Sequence, residues 1–331
     1  MKPNLIVRFR KWVVIAIAIG ALLYLSGAVL ADLEKVGSAI ETFEWWLLFP
    51  VCGLTFLNYG LRFVKWHYLI RRLGVDMPVG DDAWNFAAGL AMVISPGKAG
   101  ELLKPYVVRE RTGTPMATTI PALVTERLTD GIAMLILAGI SVGAYAADKI
   151  HYLTIPAAII GLGLLILAHE GLSLATVRIL GRMPGLRGVA EKMEEMLVSL
   201  RTCVAPVPLL FTIVLSMVAW GAECWGYQLI FRGLGHPEVG LDVCVFLYAF
   251  ATVAGGAMPG GLGVADGVLA AGASTLIAGI TQPISVAAAI LIRICTLWIG
   301  VAIGAAALFR VSSMLGGIDL ATSDDHTPEA G

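Results

Sequence analysis

The chain has 331 residues, 58% of them apolar and 14% charged, with a net charge of −1 and a mean hydropathy of +0.83. These values lie far outside the range of a soluble globular domain, and no nucleic-acid partner is expected of a chain with so little net charge. The expected fold is all-α, a polytopic membrane helix bundle.

Residues 13–31 (VVIAIAIGALLYLSGAVLA) follow Lys2, Arg8, Arg10 and Lys11 and end in A-V-L-A, which fits a signal peptide or a retained span. The apolar run exceeds the usual signal-peptide core, so the retained span is favoured. The acidic segment ADLEKVGSAIETFE that follows suits the outer side. A second span starts at the interfacial pair Trp45 and Trp46 and runs to about Leu61, where Arg62, Lys65, Arg71 and Arg72 mark a cytoplasmic end. Lys65 is expected to snorkel to headgroup level; Arg62 is open between that and the interior. Residues 82–94 (DAWNFAAGLAMVI) are too short to cross about 30 Å of hydrocarbon. With Lys98, Lys104, Arg109 and Arg111 after them, they fit a re-entrant hairpin.

Further spans are expected at 119–146, 153–168, 207–231 and 283–309. Between the fourth and fifth, Leu186, Val189, Ala190, Met193, Leu197 and Leu200 recur every three or four residues in a cytoplasmic segment, 170–205. This amphipathic helix either lies on the membrane or packs over the bundle. With both termini cytoplasmic, eighteen of the twenty-three Lys and Arg fall inside, three outside (Lys35, Lys149, Arg232), and two within spans (Arg127, Arg293). The chain is thus expected to be a single membrane domain over 1–312, in the cytoplasmic membrane, with a disordered acidic tail over 313–331. Five cysteines without C-x-x-C spacing and five histidines without ligand spacing suggest no metal and no cofactor.

Features recur between the halves at nearly constant offset. Leu73-Gly74 matches Leu234-Gly235, Pro96-Gly97-x-x-Gly100 matches Pro259-Gly260-x-x-Gly263, Pro121 matches Pro283, and Gly139-x-x-x-Gly143 matches Gly300-x-x-x-Gly304. Repeat one covers about 12–147 and repeat two about 153–310. Three full spans and one hairpin per repeat, an odd number of crossings, make this an inverted-topology repeat. The second hairpin covers 243–280.

The stretch SPGKAGELLKPYVVRER breaks an apolar run with helix-starting residues. Ser95 can cap, Pro96 suits a first turn, and Gly97 and Gly100 allow close approach, which leaves free amides beside Lys98 as an anion site. MPGGLGVADG, with Gly260, Gly261, Gly263 and Asp266, offers a similar turn without the lysine. Glycines serving only tight hairpin packing are the alternative. Glu126, Arg127 and Asp130 lie within one helical turn or so, and each costs roughly 2.5 to 3.5 kcal/mol at the bilayer centre. They must face the interior, with Arg127 pairing Asp130 and Glu126 seeking Arg293 or Lys98. Glu223 occupies in the second half the place of Arg62 in the first. A structural ion-pair network remains an alternative to a functional one.

NYGLRFVKWHYLIRRLG, SPGKAGELLKPY, TERLTDG and MPGGLGVADG together resemble the lysylphosphatidylglycerol synthase transmembrane, or flippase-like, family over about residues 10–312. The resemblance implies an integral membrane protein that moves lipids or lipid-linked intermediates between leaflets. It implies roles for Ser95, Pro96, Gly97, Lys98, Gly100 and Glu101, for Glu126, Arg127 and Asp130, and for Pro259, Gly260, Gly261 and Gly263. In the synthases such a region is fused to a soluble aminoacyl-transferase domain, which this sequence does not contain.

A flippase for an anionic phospholipid or a polyprenyl-phosphate-linked lipid is therefore the leading expectation, with homo-oligomerisation open. Ser95, Gly97, Lys98, Gly100, Arg62, Arg127, Arg293, Gly260, Gly261 and Gly263 are the candidates for the headgroup. Glu101, Glu126, Asp130, Glu223 and Asp266 are the candidates for charge balance or proton coupling. A membrane-embedded transferase or hydrolase and a membrane scaffold are the alternatives. No nucleotide-binding signature accompanies them.

Overall fold

Every element in the computed structural model is helical, with no strand among the residues it describes: 20–145, 187–256 and 258–315, with 18, 154, 157–158 and 161–163. Most of the expected fourth span, all of 164–186 and the tail beyond 315 lie outside the described residues. In chain order come α1 (Gly20–Leu30), α2 (Leu33–Glu41), α3 (Trp45–Arg72), α4 (Val79–Ala91) and a 3-10 turn, Met92–Ile94. A second 3-10 stretch (Pro96–Leu102) leads into α5 (Leu103–Thr112), α6 (Met116–Tyr145), α7 (Arg187–Val204) and α8 (Pro206–Gly233). Then follow α9 (Leu241–Ala254), a 3-10 turn (Pro259–Gly261), α10 (Val264–Leu276) and α11 (Gln282–Met314).

Among the described residues three helices, α3, α8 and α11, are long and apolar enough to cross a membrane. At 1.5 Å per residue, 28 residues reach about 42 Å, beyond a hydrocarbon core of about 30 Å. Helix α6 is longer than either α3 or α8, at 30 residues, but carries Glu126, Arg127 and Asp130 near its middle. Helices α4 and α10, 13 residues each, reach only about 20 Å.

Helix α3 continues through the four basic positions that were expected to follow the span, and stops at Gly74. There φ is +77°, the Gly74 amide donates to Arg71 and the Val75 amide to Ile70. Helix α8 stops the same way at Gly235, φ +86°, with amides of Gly235 and His236 bonded to Arg232 and Phe231. Both are Schellman ends, which favour a residue without Cβ in the left-handed region.

Helices α3 and α8 pack along each other at the centre, joined by a hydrogen bond from Asn58 Nδ2 to the Ala219 carbonyl, 3.0 Å. Helix α4 packs on α11, and α9 packs on α6. Helix α7 lies against α6 and α8, and Cys203 near its end enters the core beside Trp66 and Leu69. A second core gathers Tyr227, Phe231, Leu247 and Leu269 from α8, α9 and α10. Outward positions stay apolar: Val207, Leu210, Val214, Val218 and Trp225 line an exposed stripe of α8 at helical spacing, the surface a lipid solvent favours.

Helix α11 contains one wide turn, a π segment at Ile294–Trp298. Its Thr296 carbonyl accepts a hydrogen bond from Tyr59 Oη at 2.5 Å. Beyond it, Gly300 faces that phenol and Gly304 rests on the backbone of α4 at Ala91.

Candidate functional site

The inward face of α3 carries Asn58, Tyr59, Arg62, Lys65, Trp66 and Leu69, all buried. Spacing of three and four on one helix therefore delivers two cations to the interior together with the aromatic packing. Lys65, expected at headgroup level, is fully buried instead. Its Nζ lies 2.5 Å from Asp130 Oδ1 and 2.7 Å from Ser216 Oγ, and it donates to the Glu126 carbonyl at 3.2 Å. Burying an ammonium requires this density of acceptors. Asp130 Oδ1 also accepts from Ser216 and from Trp220 Nε1, both at 3.0 Å.

Glu126, expected to meet Arg293 or Lys98, pairs with Lys104 from α5. Arg127 and Arg62 approach its other oxygen at 3.5 and 3.6 Å. Arg293 is too committed elsewhere to serve. The expected Arg127–Asp130 contact is present at 3.4 Å, but the shorter partner of Arg127 is Glu101 at 2.8 Å. Lys104 also sits over the Trp66 ring, 4.2 Å from its centroid, and the Arg62 guanidinium over Trp220 at 5.4 Å. Four cations (Arg62, Lys65, Lys104, Arg127) thus meet three acids (Glu101, Glu126, Asp130), a formal excess of one positive charge within this ion-paired group, while Glu223 lines the same cavity outside it.

A second, smaller group stands on α10 and α11. Arg293 Nε lies 2.7 Å from Asp266 Oδ1, and its Nη2 donates to the Gly260 carbonyl. Asp266 in turn accepts the Gly263 amide at 2.8 Å. Gly260, Gly261 and Gly263 have φ of +59°, +72° and +82°, so the turn needs glycine at each. In the first half, Ser95 Oγ accepts the Gly100 amide at 2.8 Å. The expected set of bare amides is therefore reduced: those of Gly100 and Gly263 are taken by the protein's own oxygens. The two turns meet where Ile94 reaches Gly260 and Leu262.

Between the two groups lies a cavity of about 370 Å³, within the usual range for small-molecule sites. Of the residues singled out from sequence, Arg62, Glu126, Arg127, Asp130, Glu223, Gly260, Gly261 and Arg293 line it. Ser95, Gly100, Glu101, Gly263 and Asp266 stand behind that wall as supports. The surroundings of Gly97 and of the Lys98 side chain lie outside what the structure describes. Lys104, Tyr59, Trp220 and Tyr248 also line the cavity and were not singled out. Lys104 sits inside the quoted motif, in ELLKPY, and its one signal was a charge directly after an apolar pair.

A family model described as the lysylphosphatidylglycerol synthase TM region matches residues 12–304. The chain belongs to this family. A search of curated proteins gave no match. Membership in the lysylphosphatidylglycerol synthase TM family, together with the long apolar helices, makes this a membrane-embedded protein tied to lipid metabolism.

Proposed function

We propose that the chain moves a phosphate-bearing lipid, either an anionic phospholipid or a polyprenyl-phosphate-linked lipid, between the leaflets of the cytoplasmic membrane. One observation carries this: a buried ionic group with one cation in excess opens onto a cavity large enough for a headgroup. An uncompensated cation in a low-dielectric interior attracts an anion. Arg62 is the group best placed to take it, since its contacts to Glu126 and Asp130 are long, 3.6 and 3.9 Å, its buried Nε has no hydrogen-bond partner, and its guanidinium presents a planar fork suited to phosphate. Arg127 and Lys104 add charge from the same wall. Lys98 belongs to the same proposal through its place in the Pro96–Leu102 turn. The lipid tails stay in the bilayer and pass between helices.

The proposed frame for this movement is an inverted repeat with two re-entrant hairpins, residues 79–112 and 241–276. Its support is pairwise packing. Counterparts exchange partners, α4 on α11 and α9 on α6, while α3 and α8 pair on each other. Charge also alternates between halves, Lys104 corresponding to Asp266 and Asp130 to Arg293 at the repeat offset. Such an arrangement holds the binding site at mid-membrane depth where the repeats meet.

The test is reconstitution into liposomes carrying a fluorescent phosphatidylglycerol, with chemical quenching of the outer leaflet. Wild-type protein is expected to scramble the label, and Arg62→Ala with Lys104→Ala to slow it about tenfold or more, the cost of losing charge-assisted contacts of roughly 1.5 to 3 kcal/mol. Equal rates for both proteins overturn the proposal. Lys98→Ala in the same series tests the turn separately.

A further inference from the structure

Five acids stand in or behind the cavity wall, and four are matched by cations: Glu101 by Arg127, Glu126 by Lys104, Asp130 by Lys65 and Asp266 by Arg293. Glu223 is different. It is 4% exposed and lines the cavity, yet among the described residues it has no basic side chain at ion-pair distance. Its partner is the Tyr248 hydroxyl, which donates to Oε2 at 2.6 Å. A carboxylate held by one hydroxyl inside a bilayer is costly, whereas the protonated acid keeps that bond and buries no charge. The groups facing it are Tyr59 and Arg62 from α3, Asp130 from α6, Tyr248 from α9 and Arg293 from α11, with Cys224 adjacent on its own helix.

We infer that Glu223 is a proton-binding site whose occupancy rises and falls with that of the headgroup site, so that one proton and one anionic headgroup load together. This rests on the reading of the cavity as a headgroup site. Arg62 is the link. With no headgroup present, its positive charge faces Glu223 and favours the carboxylate. An anionic headgroup seated on Arg62 cancels that charge, and Glu223 then takes a proton from the aqueous phase onto a carboxylate oxygen; the proton leaves when the headgroup leaves. Linkage is reciprocal, so acidification tightens headgroup binding. Loading one anion with one proton adds no net charge to the buried cluster.

Infrared difference spectra of the purified protein in nanodiscs test this, with phosphatidylcholine alone or mixed with phosphatidylglycerol, over a pH series. A protonated-carboxyl band is expected at neutral pH that grows when phosphatidylglycerol is present, vanishes in Glu223→Gln and changes frequency in Tyr248→Phe. The growth is expected to be lost in Arg62→Ala. No such band in wild type, or a band untouched by Glu223→Gln in a monodisperse preparation, overturns the proton site. A Glu223 band indifferent to phosphatidylglycerol, or growth that survives in Arg62→Ala and so reflects membrane surface charge, overturns the linkage. Wild-type protein that shows the linked band but scrambles no lipid removes the transport reading and leaves the proton site standing.

Discussion

Lys65 and Lys35 measure how far burial changes the worth of an ion pair. Lys35 bonds Asp32 at 2.7 Å on the surface, where the pair contributes about 0 to 1 kcal/mol. Lys65 meets Asp130 with no exposed surface at all. Lys65→Met is expected to lower stability by about 3 to 5 kcal/mol, because the buried Asp130 loses its nearest cation and keeps only the longer contacts to Arg127 and Arg62, at 3.4 and 3.9 Å. Adding Asp130→Asn is expected to restore part of the loss. Thermal unfolding in detergent, followed by tryptophan fluorescence, checks both against Lys35→Met; a Lys65→Met no worse than Lys35→Met contradicts the account. At this scale the sequence was half legible. The rule that intramembrane charges must face inward identified Glu126, Arg127 and Asp130, but helix-end logic sent Lys65 outward. That Lys104 meets Glu126 depends on how α5 packs against α6, a tertiary quantity that spacing does not encode.

Among the elements, the apolar helices were largely readable, whereas the end of α3 and the internal defects were not. Leu-Gly at 73–74 and at 234–235 was read only as a repeated pair; the structure makes both of them helix stops, since each glycine adopts a conformation that a Cβ disfavours. The π turn at Ile294–Trp298 had no such mark, because it arises from tertiary contacts such as the Tyr59 bond to Thr296. Gly304 was noted only as half of a small-residue pair; the structure gives it a specific neighbour, the Ala91 backbone of α4. Gly304→Val is expected to push α4 from α11 and cost about 1 to 3 kcal/mol, the usual range for overpacking. Gly221→Ala, where an added Cβ meets nothing within 4 Å, is expected to be neutral or slightly stabilising. Comparing the unfolding temperatures of the two variants separates close packing from mere helix propensity.

For the whole molecule, composition was enough to assign the solvent, and the charge bias suggested which ends face inward. The cavity was beyond reach, since its wall draws on α3, α4, α5, α6, α8, α9, α10 and α11 and on a pairing of elements that no local pattern states. The proposed inverted arrangement places the loop after α3 and the loop after α8 on opposite faces of the membrane. In a background without the five native cysteines, Asp76→Cys and His236→Cys are the reporters. An impermeant maleimide added to sealed right-side-out vesicles is expected to label His236→Cys at once and Asp76→Cys only after the vesicles are opened. Labelling of both from one side removes the inverted arrangement.

The way charges are shared among helices also bears on biogenesis. Entering lipid alone, α6 would carry three ionised side chains at a penalty of up to about 10 kcal/mol. Its neutralising partners, Arg62, Lys65, Glu101 and Lys104, all precede it in the chain and have already been synthesised when it emerges. The N-terminal helices are thus expected to serve as an intramolecular chaperone for α6, with Ser216 and Trp220 of α8 completing the shell around Asp130 last.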